Sequence, residues 1–271
     1  KVHMVEESQS IRILWVGNSF TFFPLELGGI PGVLNLLADA AGTDSFNVTP
    51  VLKGGATLHD LADLFESTSR THSGSAFDIV VLQDHSTVPA GCLVEKNAPV
   101  PDDSYTKCLK ALQERYAPIL KEMQQHNGTK VLLYQTWGRD VDMHGRPETL
   151  GDFEEMSKKL AQGYQAYADA LIAEGVQVNI AGVGDAYVRL RRLPSGPAMW
   201  PKLCHDSNAH PTALAGLLIA STFAATLAQL TKNPSRFPSK AAVMAVGHRL
   251  ELDSDDLNAL CNASGLTALS E

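Results

Sequence analysis

The sequence predicts an α/β fold, a three-layer α/β/α sandwich built on a central, mostly parallel sheet of five strands. Two observations carry that expectation. Short apolar runs alternate with longer stretches of helical periodicity, the order expected of strand–helix–strand crossovers. The chain also has 271 residues, 44% of them hydrophobic, enough to cover both faces of a sheet with one core. No internal repeat or linker composition breaks the pattern, so one domain over residues 1–271 is the simplest organisation. Residues 1–10 are expected to form a flexible lead and 234–271 a peripheral helical tail.

The elements follow in order. Ile11 to Gly17 (IRILWVG) reads as a buried strand, and Pro31 to Ala41 as a helix ended by Gly42. Phe46 to Leu52 is the second strand, followed by a helix from Thr57 to Glu66 with Thr57 as its cap. Asp78 to Gln83 and Lys130 to Gln135 are the third and fourth strands, separated by an amphipathic helix from Tyr105 to His126. A helix from Phe153 to Glu174 leads to the fifth strand, Val176 to Ala181. The last core helix runs from Pro211 to Leu230, with Pro in its first turn, where the missing N–H costs little. Asp84 to Asp103, Trp137 to Gly151 and Leu193 to His210 are long irregular segments, the kind that usually carry function.

Composition excludes several classes. The formal net charge is −8 and the pI about 5.6; no Lys/Arg stripe offsets this, so no nucleic-acid partner is expected. The short patch Arg189, Arg191 and Arg192 suits a helix end or solvent. Cys92, Cys108, Cys204 and Cys261 are scattered without a CxxC, and free thiols are expected. No run is expected to span a membrane. The N-terminus lacks the basic-then-apolar pattern of a signal peptide, and Lys1-Val2-His3 before Met4 looks like an expression scar, which leaves room for a trimmed leader and for either a cytoplasmic or a secreted protein. The sequons at Asn47, Asn127 and Asn262 are read as chance occurrences.

GxSxG, GxxxxGK, HExxH and a complete GxGxxG are all absent. Gly182-Val183-Gly184 reads as a turn. What remains is Gly17-Asn18-Ser19-Phe20, directly after the first strand, where the carboxyl end of a parallel sheet opens a crevice. A second piece, Asp206-Ser207-Asn208-Ala209-His210-Pro211, precedes the last core helix. It combines a His with a nearby carboxylate able to fix its tautomer. Read alone, the first piece is a polar turn and the second a capping loop. His205, Asp206 and His210 could ligate a metal, but their spacing is not a zinc pattern, and no metal is expected.

Together these segments resemble the SGNH (GDSL-type) hydrolase superfamily. Gly17-Asn18-Ser19-Phe20 is similar to its first block, in a variant with Asn before the Ser. Lys53-Gly54-Gly55-Ala56-Thr57 is similar to the second, Val80-Val81-Leu82-Gln83-Asp84 lies where the third does, and Asp206 to Pro211 resembles the last. The resemblance implies a flavodoxin-like fold and a serine hydrolase of small acyl esters, acetyl esters by default, with Ser19 as nucleophile, His210 as general base and Asp206 as the acid. It implies an oxyanion hole from the N–H groups of Ser19 and Gly55 and the side chain of Gln83, which stands where the family has Asn. The acid sits four residues before the His, not three, the place held here by Ser207; a Ser–His dyad is the alternative. No metal or organic cofactor is required. Asn18, Trp137, Arg139, His144 and Trp200 are candidate contacts for a small-molecule or carbohydrate ester. A non-catalytic carbohydrate-binding protein and an acyltransferase are the rival functions.

Overall fold

Period-two alternation along each strand sends its side chains into two separate cores. In β1 (Ile11–Gly17), Ile13 and Trp15 enter one core and Leu14 and Val16 the other. The computed structural model describes residues 10–71, 77–91, 103–140, 148–204 and 209–266. Its sheet holds β1, β2 (Phe46–Leu52), β3 (Ile79–Leu82), β4 (Lys130–Tyr134) and β5 (Val178–Ala181). All neighbours pair in parallel, in the order β2-β1-β3-β4-β5. The winding direction therefore reverses between β1 and β3, and a crevice opens there at the carboxyl ends of the strands.

Helices cover both faces. One layer contains α2 (Gly29–Ala41), α8 (Val183–Arg191), α10 (Ala213–Thr231), α11 (Lys240–Arg249) and α12 (Ser254–Ser264). The other contains α3 (Leu58–Thr71), α5 (Ser104–Ala111), α6 (Ala117–Asn127) and α7 (Phe153–Ala173). Three short helices stand at the crevice or beside it: α1 (Ser19–Phe22), α4 (Thr87–Ala90) and α9 (Gly196–Met199). The expected three-layer architecture is the one observed.

Several local readings change. A π-helical turn at Leu112–Tyr116 joins α5 to α6 and interrupts the expected single helix. β2 lies at the sheet edge, which tolerates Pro50. α10 starts after Thr212, whose side chain accepts the Ala215 N–H at 3.3 Å, while Pro211 pairs with Cys204 outside the helix. The 19 residues of α10 are long and apolar enough to cross a membrane by length and composition alone. In this fold 78% of that apolar window is buried, because the helix is enclosed by β-sheet and neighbouring helices. The expected turn at Gly182-Val183-Gly184 is the start of α8. A Cβ on Gly184 would lie 2.3 Å from the Thr136 carbonyl oxygen, so glycine there serves close packing. In the expected tail, α11 and α12 are helical and also complete the core: Val243, Leu257, Leu260 and Cys261 are wholly buried. Among the described residues Cys108 and Cys261 are buried free thiols, Cys204 is partly buried, and Cys92 lies outside them.

Candidate active site

Where β1 ends at Gly17, the chain is caught by two buried amides. Asn18 caps α1: its Oδ1 accepts the Phe20 N–H at 3.2 Å, and its Nδ2 donates to the Ala56 carbonyl at 3.0 Å. Gln83, wholly buried beyond the end of β3, closes the other side. Its Oε1 accepts the Asn18 N–H at 2.9 Å and the Thr21 hydroxyl at 3.1 Å. Its Nε2 donates to Asn18 Oδ1 at 2.9 Å and to the Asp84 carbonyl at 2.6 Å. Thr21 Oγ1 in turn accepts the Trp15 indole N–H at 3.1 Å. This network joins β1, β3 and the turn after β2, and leaves Ser19 as the first residue of α1.

Ser19 faces a cavity of about 390 Å³, a size suited to a small ligand. His210 shares its lining, as do Gly54, Gly55, His85 and Arg139. Phe20, Phe22 and Phe23 form an apolar wall. His210 stacks on Phe23 with ring centroids 4.2 Å apart and stands edge-on to Phe20 at 6.1 Å. Next to His210 in the chain, Pro211 bridges Cys204 and the Thr212 N–H donates to the Leu203 carbonyl at 3.1 Å. Ala209, wholly buried with φ 63°, holds a left-handed backbone that costs a non-glycine residue energy, a feature that clusters at functional sites. Gly55 has φ +66°, the conformation that favours glycine. No acceptor among the described residues takes the N–H of Ser19 or of Gly55.

No family model matches the sequence, and no curated protein does. Solved structures do match. A DUF4886 family protein from Bacteroides uniformis superposes with a TM-score of 0.63 at 14% identity, over 97% of this chain and 96% of that one. A candidate SGNH hydrolase from Slackia heliotrinireducens gives 0.51 at 21% identity, over 81% and 100% of the two chains. The chain has the fold of the SGNH hydrolases. LAE5, an alpha/beta hydrolase enzyme from the metagenome of Lake Arreo, gives 0.50 at 16% identity over 83% and 96%.

Within this SGNH fold the expected residues part company. Ser19, Gly55, Arg139 and His210 converge on the cavity. Gln83 does not line it, because both amide hydrogens are spent on Asn18 and Asp84; its expected donation to an oxyanion is corrected to holding the turn before Ser19. The Asn18 side chain also lines the cavity, while its bonds to Phe20, Ala56 and Gln83 hold the turn before Ser19. Trp137 is wholly buried, sandwiched between Phe20 at 4.4 Å and Tyr187 at 4.5 Å, and supports the wall from behind. Trp200 lies outside the cavity lining; its indole N–H donates to Asp140 and its ring packs on Phe153 and Arg191. Asp206, Ser207, His205 and His144 lie outside the described residues. Among the described residues no three His, Cys, Asp or Glu side chains gather as a metal site.

Sequence reasoning missed His85 and Ser86, which line the cavity. Their signal was position alone, directly beyond the carboxyl end of β3. His85 Nδ1 lies 2.8 Å from Thr87 Oγ1, and burial, followed by the charge of Arg139, lowers its pKa to about 4. Beneath it, buried Asp84 accepts the Leu58 and His85 N–H groups and the Tyr167 hydroxyl, at 2.9, 2.7 and 2.8 Å. Burial outweighs these donors and raises its pKa to about 6.

The two neighbours oppose each other in stability. Asp84, raised from 3.8, holds its proton more tightly in the folded state, so its contribution is lost as pH rises through about 6. His85, lowered from 6.5, binds its proton less tightly when folded, so stability is lost as pH falls toward about 4. Asp84→Asn should remove the first slope and unmask the second. Its melting temperature, followed between those pH limits, should climb more steeply with pH than that of the parent; parallel curves would refute the assignment.

Proposed function

We propose that this chain is a serine ester hydrolase acting on small acyl esters, acetyl esters first among them. The observation that carries the reading is the shared cavity of Ser19 and His210, beside two backbone N–H groups that no described residue accepts. Ser19 Oγ attacks the ester carbonyl as His210 takes its proton. The carbonyl oxygen, now an oxyanion, is held by the N–H groups of Ser19 and Gly55. His210 then gives the proton to the departing alcohol. Water, activated by the same His210, resolves the acyl-enzyme, so turnover has two steps. Asp206 is the proposed partner of His210, orienting its imidazole and stabilising the imidazolium. The phenylalanine wall and the cavity's size support a short acyl group over a long chain.

A fluorophosphonate ester tests this directly, because it phosphonylates an activated serine. The purified chain should gain one phosphonyl group, carried by the peptide containing Ser19, and lose esterase activity in step with labelling. Labelling elsewhere, or none, would overturn the assignment.

A further inference from the structure

With Gln83 turned away, the oxyanion hole lacks the side-chain donor that the sequence led us to expect. We propose that Ser86 supplies it, held and polarised by Arg139; the inference rests on the Ser19 reading above. Ser86 is 2% exposed and lines the same cavity as Ser19 and Gly55. Although it precedes α4, its side chain makes no capping bond to that helix. Arg139, itself 4% exposed, donates from Nη2 to Ser86 Oγ at 2.7 Å.

The direction of that bond is decisive. A hydroxyl carries one proton and two acceptor sites. A guanidinium can only donate, so Ser86 Oγ accepts from Arg139 and keeps its own proton for another partner. No acceptor among the described residues takes it: His85 directs its ring nitrogen to Thr87, and the α4 backbone bonds without it. A buried hydroxyl proton with no protein acceptor is costly unless something in the cavity receives it. A cationic donor on Oγ also strengthens the O–H as a donor in turn.

The chemistry balances without a further reactant. As Ser19 Oγ bonds to the carbonyl carbon, the C=O π pair moves onto oxygen and the Ser19 proton moves to His210. That oxygen accepts from the Ser19 and Gly55 N–H groups and from the Ser86 O–H. When the intermediate collapses the carbonyl reforms, the C–O bond to the alcohol breaks, and His210 returns the proton to the leaving oxygen. Ser86 keeps its own proton throughout. Arg139 acts through Ser86 and is a positioning residue.

The test uses the full chain with p-nitrophenyl acetate, a trifluoromethyl ketone as mimic of the tetrahedral adduct, and the fluorophosphonate. Ser86→Ala should lower kcat by about 10²–10³-fold with little change in KM, as loss of an oxyanion donor does. Affinity for the ketone and the rate of Ser19 phosphonylation should fall by a similar factor. Ser86→Thr, which keeps the hydroxyl, should recover most of the loss. Should Ser86→Ala unfold, Ser86→Cys keeps the volume but offers only a weak S–H donor, and should show the same loss. A parent protein labelled at Ser19, with folded Ser86→Ala or Ser86→Cys matching it in kcat and ketone affinity, overturns this inference alone. A parent not labelled at Ser19 overturns the hydrolase reading and takes this inference with it.

Discussion

Ser19→Ala should fold as the parent does and lose ester hydrolysis almost completely, with kcat down by about 10⁵-fold or more if Ser19 is the attacking group. The structural side of the expectation is specific. Ser19 is partly exposed at the head of α1, and its hydroxyl bonds to no described residue. Its backbone, whose N–H is proposed to face the oxyanion and whose C=O accepts the Phe23 N–H at 3.0 Å, is untouched by the substitution. Stability should therefore stay within about 0.5 kcal/mol of the parent. Steady-state turnover of p-nitrophenyl acetate and thermal unfolding of the same preparation check both halves. Turnover at the parent's rate would end the case for Ser19, and a collapse in stability would leave the turnover result unusable until a Ser19→Cys variant had been measured.

Gln83→Ala should do something different, and mainly to the fold. The side chain satisfies the Asn18 N–H, the Thr21 hydroxyl, Asn18 Oδ1 and the Asp84 carbonyl in a fully buried setting. Truncation strands those groups at about 1–3 kcal/mol for each left unpaired, and Asn18 and Thr21 lose the most. We expect a loss of about 3–5 kcal/mol overall, or roughly 10 °C in melting temperature for a chain of this size. The turn that carries Ser19 should loosen as well, lowering kcat through misplacement. Denaturant unfolding at fixed pH separates this from a purely catalytic role. A variant as stable as the parent, with only kcat reduced, would return Gln83 to the oxyanion hole.

Much of the architecture was legible because it rests on short-range pattern. Ile11–Gly17 and Phe46–Leu52 emerge with the bounds read from their apolar runs, and the ends of α2 and α7 fall where Gly42 and the stretch from Phe153 place them. Periodicity reports burial, and burial is what makes a run a strand or a helix face. It does not report the neighbour, so it could not say that β2 is an edge strand. It also missed α8, whose glycines look like a turn until the packing against Thr136 is seen.

The site divides in the same way. The sequence marked Ser19, Gly55 and His210 through the resemblance of their segments, taken together and in order, to the SGNH blocks; read alone, the Ser19 segment is a polar turn and the His210 segment a capping loop. Only the tertiary structure decided where the amides and hydroxyls point. Gln83 meets Asn18 across 65 residues, and Arg139 meets Ser86 across 53. Beyond the end of a strand the two-residue period no longer governs side-chain direction. There it is set by whichever distant partner satisfies a buried polar group. That demand turned Gln83 inward onto the nucleophile turn and left Ser86 facing the cavity.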